Sequence, residues 1–343
     1  MPISYETVVD ICERTGRIAL PKIQNILERL FAEADEVQDA IEQYCKIDRL
    51  IELTLGAKSI TGDVSAYHNV AVVLARNDAF DYACDVLELG MKNDSSAVDL
   101  MADYLKYGCS CNRYEMCKNI FHKLLNLQEK WNWRSYQFVI DYLLEVDIYD
   151  AKTQKEKTTF LVKEFVEKVP DSEEAYLTKA EWLKSLSDDE CADIWNGETF
   201  ESVLQDVTSG KFKIKRTPKC DLKLADYYYS LGVQFEKAYS LLEHCKVNSL
   251  EAQPSVNRTY VFLLASLCKM SIYYEKSAKN GTKKAEDNSE LIQIIQDVYS
   301  DYHYSALDAG SVYARNCRPL IENFVSETEI PYPYGDGIIN NIQ

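Results

Sequence analysis

The sequence predicts an all-α protein in which antiparallel helix pairs stack into an α-solenoid. Four quartets recur: Ala102-Asp103-Tyr104-Leu105, Ile140-Asp141-Tyr142-Leu143, Ala180-Glu181-Trp182-Leu183 and Ala225-Asp226-Tyr227-Tyr228. Each places an acid after an apolar residue and before two large ones. Their acids stand 38, 40 and 45 residues apart, a spacing that belongs to stacked helical repeats. Gly 12 and Pro 8 in 343 residues are too few for a turn-rich β protein and suit helices joined by short polar links.

Residues 1–62 read as an N-terminal cap of three helices. Pro21 fits a first helical turn, and Ile23, Ile26, Leu27, Leu30 and Phe31 follow on one apolar face. Ile41, Tyr44, Cys45, Ile47, Leu50 and Ile51 form the face of the next helix. A DNA-reading helix-turn-helix is disfavoured there, because 7 Lys/Arg against 11 Asp/Glu over residues 1–60 is the wrong sign for phosphate.

Residues 63–274 carry the repeats. Tyr67, Val70, Ala71 and Leu74 make one face, Asn77-Asp78 a polar break, and Ala83, Val86 and Leu87 the answering face. The next units give Val98, Met101, Ala102 and Leu105 with Cys117 and Phe121, then Tyr136, Val139, Ile140 and Leu143 with Thr158 and Val162. Val169-Pro170-Asp171 is the clearest junction. Beyond it stand Tyr176, Ala180, Leu183 and Ala192, then Leu224, Ala225 and Tyr228 with Ala238 and Leu242, then Val261, Leu264, Ala265 and Cys268. Asn196-Gly197 interrupts the second helix of the fourth unit.

This register resembles the tetratricopeptide repeat over about residues 64–270, with stretched spacings. The resemblance implies a right-handed solenoid of helix pairs whose first helices line a concave, partner-binding groove. It also implies that the residue after each small packing position faces that groove. Asp103, Asp141, Glu181 and Asp226 then form an acidic ladder, with His68, Arg76 and Tyr229 as further partner contacts. Such a ladder would draw a basic segment of a partner. The plainer alternative is that each acid is paired by a Lys or Arg on a neighbouring helix. The family's clamp for a C-terminal carboxylate is not carried over, since acids stand where it needs Lys and Asn.

Residues 275–343 read as C-terminal helices followed by a tail, Ile330 to Gly337, that runs extended over them. Residues 207–219 read as an extended basic loop. Its Lys211, Lys213, Lys215 and Arg216 are either an anion-binding site or an internal strap over the acidic groove.

The net charge of −17 disfavours direct nucleic-acid binding. No run of about 18 apolar residues is present to span a bilayer, and the first residues lack the pattern of a secretory signal. Eleven cysteines scattered through helical patterns suit reduced thiols in the cytoplasm. Cys109, Cys111 and Cys117 approach a metal cluster but lack a second ligand pair, and the four histidines show no ligand spacing. No phosphate-loop or nucleophile-elbow motif occurs. The expectation is a non-catalytic binding scaffold without cofactor or metal, of undetermined oligomeric state. A peptide-sensing regulator and an acidic inhibitor of a nucleic-acid-binding enzyme are the alternatives.

Overall fold

In a computed structural model the described residues are 3–37, 40–212, 214, 217–251, 255–280, 288–307 and 312–334. They contain seventeen α-helices and one pair of three-residue strands. The chain divides into two compact units, Met1–Pro170 and Asp171–Gln343, with the boundary at the Val169-Pro170-Asp171 junction.

The first unit opens with α1 (Tyr5–Thr15), α2 (Leu20–Glu36) and α3 (Ile41–Leu55). Ser4 caps α1 by accepting from Thr7 N, and Gly16 ends it at φ 65°. The strands β1 (Arg17–Ala19) and β2 (Ser59–Thr61) pair in parallel, Ile18 opposite Ile60. Three residues per strand give no periodicity to read in a sequence. All five apolar residues of the α2 face are buried. In α3 only Ile47, Leu50 and Ile51 are, while Ile41 and Tyr44 lie exposed.

Next come α4 (Val64–Arg76), α5 (Phe80–Asn93), α6 (Val98–Ser110), α7 (Tyr114–Leu125), α8 (Trp133–Glu145) and α9 (Ala151–Lys168). Each packs on the one that follows it, α7 meeting α8 through the Phe121 and Tyr142 rings 5.3 Å apart, and α6 also contacts both α4 and α8. Side-chain oxygens set several starts: Asp63 caps α4, Asn132 caps α8 and Asp150 caps α9. The turns repeat too. Asp78 and Asn112 take φ 60° and 61°, and Ala79 and Arg113 donate N–H bonds back five residues, to Leu74 and Gly108. This left-handed closure satisfies helix-end carbonyls and reverses the chain.

The second unit contains α10 (Glu173–Lys184), α11 (Asp188–Trp195), α12 (Phe200–Thr208), α13 (Pro218–Ser230), α14 (Phe235–Ser249), α15 (Arg258–Asn280), α16 (Ser289–Ala306) and α17 (Val312–Thr328). Gly232 at φ 68° and Val233, bonded to Tyr228 O, repeat the same turn between α13 and α14.

The small packing positions are filled as the register requires. Ala71, Ala102, Ala180, Ala225, Ala265, Ala83, Cys117 and Ala238 are fully buried, and so is Ile140. Ala192 is a correction: it is exposed on α11. A Ser187–Glu190 capping box starts that helix, and Asn196 and Gly197, both left-handed, stop it after eight residues. The helix α12, capped by Thr199, packs on α10 and α13 instead through Phe200, Val203, Leu204 and Val207.

Among the described residues no helix is long and apolar enough to cross a membrane. The tail is anchored where it is described: Tyr332 meets the Tyr299 ring edge-on at 5.3 Å, and Tyr334 stacks on His303 at 4.2 Å.

Candidate functional site: polar links between helices

In the first unit, Asp103 departs from the expectation of a groove-facing acid. Its side chain is wholly buried, and His68 Nδ1 from α4 lies 2.6 Å from Oδ2. The Arg134 guanidinium from α8 bonds the other carboxylate oxygen. Arg134 Nη1 also lies 3.4 Å from His68 Nε2. A consistent assignment has Nδ1–H donating to Asp103 and Nε2 accepting from Arg134. One carboxylate thus joins α4, α6 and α8. The nearby Tyr107 hydroxyl is pushed up to about 12 by burial and then by the Asp103 charge.

A second link lies one turn away. Asn132 donates from Nδ2 to Asp99 at 2.7 Å while its Oδ1 accepts from the backbone of Arg134 and Ser135. The side chain that starts α8 therefore also holds α6. Asp141 is half-buried on α8, and Arg76 is exposed at the end of α4.

The second unit repeats the principle with other residues. Glu181 on α10 is bridged by Lys223 of α13 at 2.9 Å. Lys219 of α13 reaches both Glu173 at 3.1 Å and Glu174 at 3.0 Å. Burial outweighs Lys219 at Glu173 and raises its carboxyl. At Glu174 burial also pushes upward, but Lys219, its own backbone N–H and Ser172 hold the carboxyl low. Tyr260 of α15 donates its hydroxyl to Asp226 Oδ1 of α13 at 2.5 Å. Tyr229 is half-buried with its ring edge-on to Phe235 at 6.1 Å, and burial raises its hydroxyl.

The predicted acids are therefore not a row of bare charges. Asp103, Glu181 and Asp226 each bond a group from another helix of the same unit: Asp103 from α4 and α8, Glu181 from α13 and Asp226 from α15. Those partners stand at irregular offsets before the next ladder acid, Arg134 seven before Asp141 and Lys223 three before Asp226, so no fixed spacing marks them.

One open cavity lies among these links. It measures about 360 Å³ and is lined by Leu177, Leu222, Val256, Lys223, Asp226 and Tyr260, among others. Leu177 and Leu222 each stand four residues before a ladder acid, so one face of α10 and one of α13 converge there with α15.

The basic loop is partly internal. Lys211 pairs with Asp206 at 2.5 Å, Phe212 stacks on Tyr176 at 4.3 Å, and Ile214 is buried. Lys213, Lys215 and Arg216 lie outside the described residues. Among the described residues no group of three or more His, Cys, Asp or Glu is arranged to hold a metal.

No protein-family model and no curated protein matches this chain.

Proposed function

We propose that the protein is a non-catalytic, cytoplasmic scaffold that binds a segment of a partner protein across the first helices of its second unit. In this reading the helices pair antiparallel into a right-handed, tetratricopeptide-like stack. The observation that supports it best is the cavity on α10, α13 and α15, with Leu177, Leu222 and Val256 offering apolar contact beside Lys223, Asp226 and Tyr260. Apolar surface with a few oriented polar groups is what anchor side chains use. Tyr260 adds contact area at low entropy cost.

The charge balance bears on the partner. Residues 171–343 carry 27 Asp/Glu against 18 Lys/Arg, so the field favours a basic segment. Because Glu181 and Asp226 already have partners, that field guides approach, and apolar anchors supply the affinity. This shifts weight from the ladder to the leucines between its rungs.

The test is selection of random peptides on the purified protein, followed by titration calorimetry with wild type and Leu222→Arg. Selected peptides should carry an apolar anchor near basic residues and lose at least tenfold in affinity against Leu222→Arg. Peptides that bind both proteins equally would remove this face from consideration.

A further inference from the structure

Cys109, Cys111 and Cys117 stand close together in the sequence, and the fold adds Cys84 to them. Cys84 is fully buried on α5, while Cys111 is half-exposed as the residue that ends α6. Their sulfurs are 3.7 Å apart, although 27 positions separate them in the chain. Cys111 Sγ also lies 3.4 Å from Tyr107 O. Cys117 is fully buried, and a Cβ on Gly108 would come within 2.5 Å of its sulfur. These thiols lack metal-holding geometry, so their closeness calls for different chemistry.

We propose that Cys84 and Cys111 form a reversible dithiol–disulfide site that is oxidised by a hydroperoxide. Cys111 is the attacking thiol because it is the half-exposed member. Its sulfur, as thiolate, takes the distal oxygen of the hydroperoxide; the O–O bond breaks, and the alkoxide or hydroxide leaves with the thiol proton as alcohol or water. The product is the Cys111 sulfenic acid. The Cys84 sulfur then attacks the Cys111 sulfur, the S–O bond breaks, and water leaves carrying the Cys84 proton. Two thiols are oxidised and one hydroperoxide is reduced.

Closure from 3.7 Å to a bond of about 2.05 Å needs local movement of under 2 Å. The site allows this on one side. Cys111 belongs to the turn Cys111-Asn112-Arg113, where Asn112 already takes φ 61°, whereas Cys84 is fixed inside a helix. Arg113, two residues on, holds the same turn to α5 through Asp81, Asp85 and Glu88. The bridge would therefore reinforce a junction the native fold already makes. Burial raises both thiols, so oxidation should be slower than at an exposed thiol. The exposed Cys45 is an internal reference.

The experiment exposes the full chain to graded hydrogen peroxide, blocks remaining thiols with N-ethylmaleimide, and maps peptides without reduction. The expected product is a Cys84–Cys111 cross-linked peptide two hydrogens lighter than its reduced parts, reversed by dithiothreitol. Cys84→Ala should leave a Cys111 sulfenic acid that dimedone traps, and Cys111→Ser should abolish the cross-link while leaving the circular dichroism of the reduced protein unchanged. Three results on wild type would overturn the proposal without any variant. They are Cys111 joined to Cys109 or Cys117 instead, Cys111 passing directly to sulfinic acid, or Cys84 and Cys111 both still reduced after peroxide exposure far longer than Cys45 needs to oxidise fully.

Discussion

Replacing Asp103 separates a stabilising carboxylate from a partner-binding one. Its side chain is fully buried, and those of His68 and Arg134 keep 22% and 20% of their exposure. Removing one member of a buried charged set costs about 3–5 kcal/mol, because Arg134 keeps its desolvation without its counter-charge and His68 Nδ1–H loses its acceptor. Since Arg134 and His68 each retain about a fifth of their surface, the lower end applies. Asp103→Ala should therefore cost about 3 kcal/mol. Asp103→Asn keeps the shape and one acceptor and should cost less, about 2 kcal/mol. The comparator is Glu181→Gln. With its side chain 38% exposed and that of Lys223 52% exposed, it should cost under about 1 kcal/mol. With two units in the chain, a single unfolding midpoint is a poor readout. Amide hydrogen exchange resolves helices separately: the slowest amides of α4, α6 and α8 should exchange about a hundredfold faster in Asp103→Ala. Equal effects of Asp103→Ala and Glu181→Gln would refute the reasoning, as would acceleration confined to α6.

Further outcomes follow from individual positions. Gly108→Ala should cost about 1–2 kcal/mol despite the better helix propensity of alanine, since its Cβ would meet Cys117 Sγ at 2.5 Å and the Tyr104 ring at 3.1 Å; urea melts of the 1–170 signals would measure it. Gln234→Gly should stabilise by about 0.5–1 kcal/mol, because Gln234 sits at φ 54°, where a side chain is strained; faster exchange of the α14 amides would contradict this. Asp301 is lifted to about 6 by burial, with Lys246 opposing from 2.8 Å. A carboxyl whose folded value lies above its unfolded one holds its proton more tightly when folded. Its contribution to stability therefore falls as pH rises from about 4 to about 6. Across that window Asp301→Asn should gain about 3 kcal/mol relative to wild type, seen as converging or crossing stability–pH curves; parallel curves would refute it.

Much of the fold was legible because small packing residues and polar turns recur in register. Ala71, Ala102, Ala180 and Ala225 occupy the close-packed positions, Asn77-Asp78 marks a turn, and Pro170 marks the unit boundary. What escaped lies below the length of any period. Strands of three residues carry no alternation, and α11 is an eight-residue helix whose own caps look like those of any helix. Ala192 kept the 34-residue spacing from Thr158, yet it stands outside the core because α12 supplies the longer apolar face. The candidate site was half legible. The acids were found by their repetition, but their partners are 31 to 42 residues away on other helices, so only folding shows that Arg134 faces Asp103 or that Lys223 faces Glu181. Cys84 joined its neighbours in the same way, through packing of α5 on the end of α6.

The most direct test of partner binding on the second unit is site-specific photocrosslinking. A benzophenone side chain at Leu222 and, separately, at the exposed Phe160 of the first unit would be irradiated with a selected peptide. The account predicts an adduct from position 222 alone, displaced by excess unlabelled peptide. An adduct from position 160, or none from 222 at saturating peptide, would contradict it.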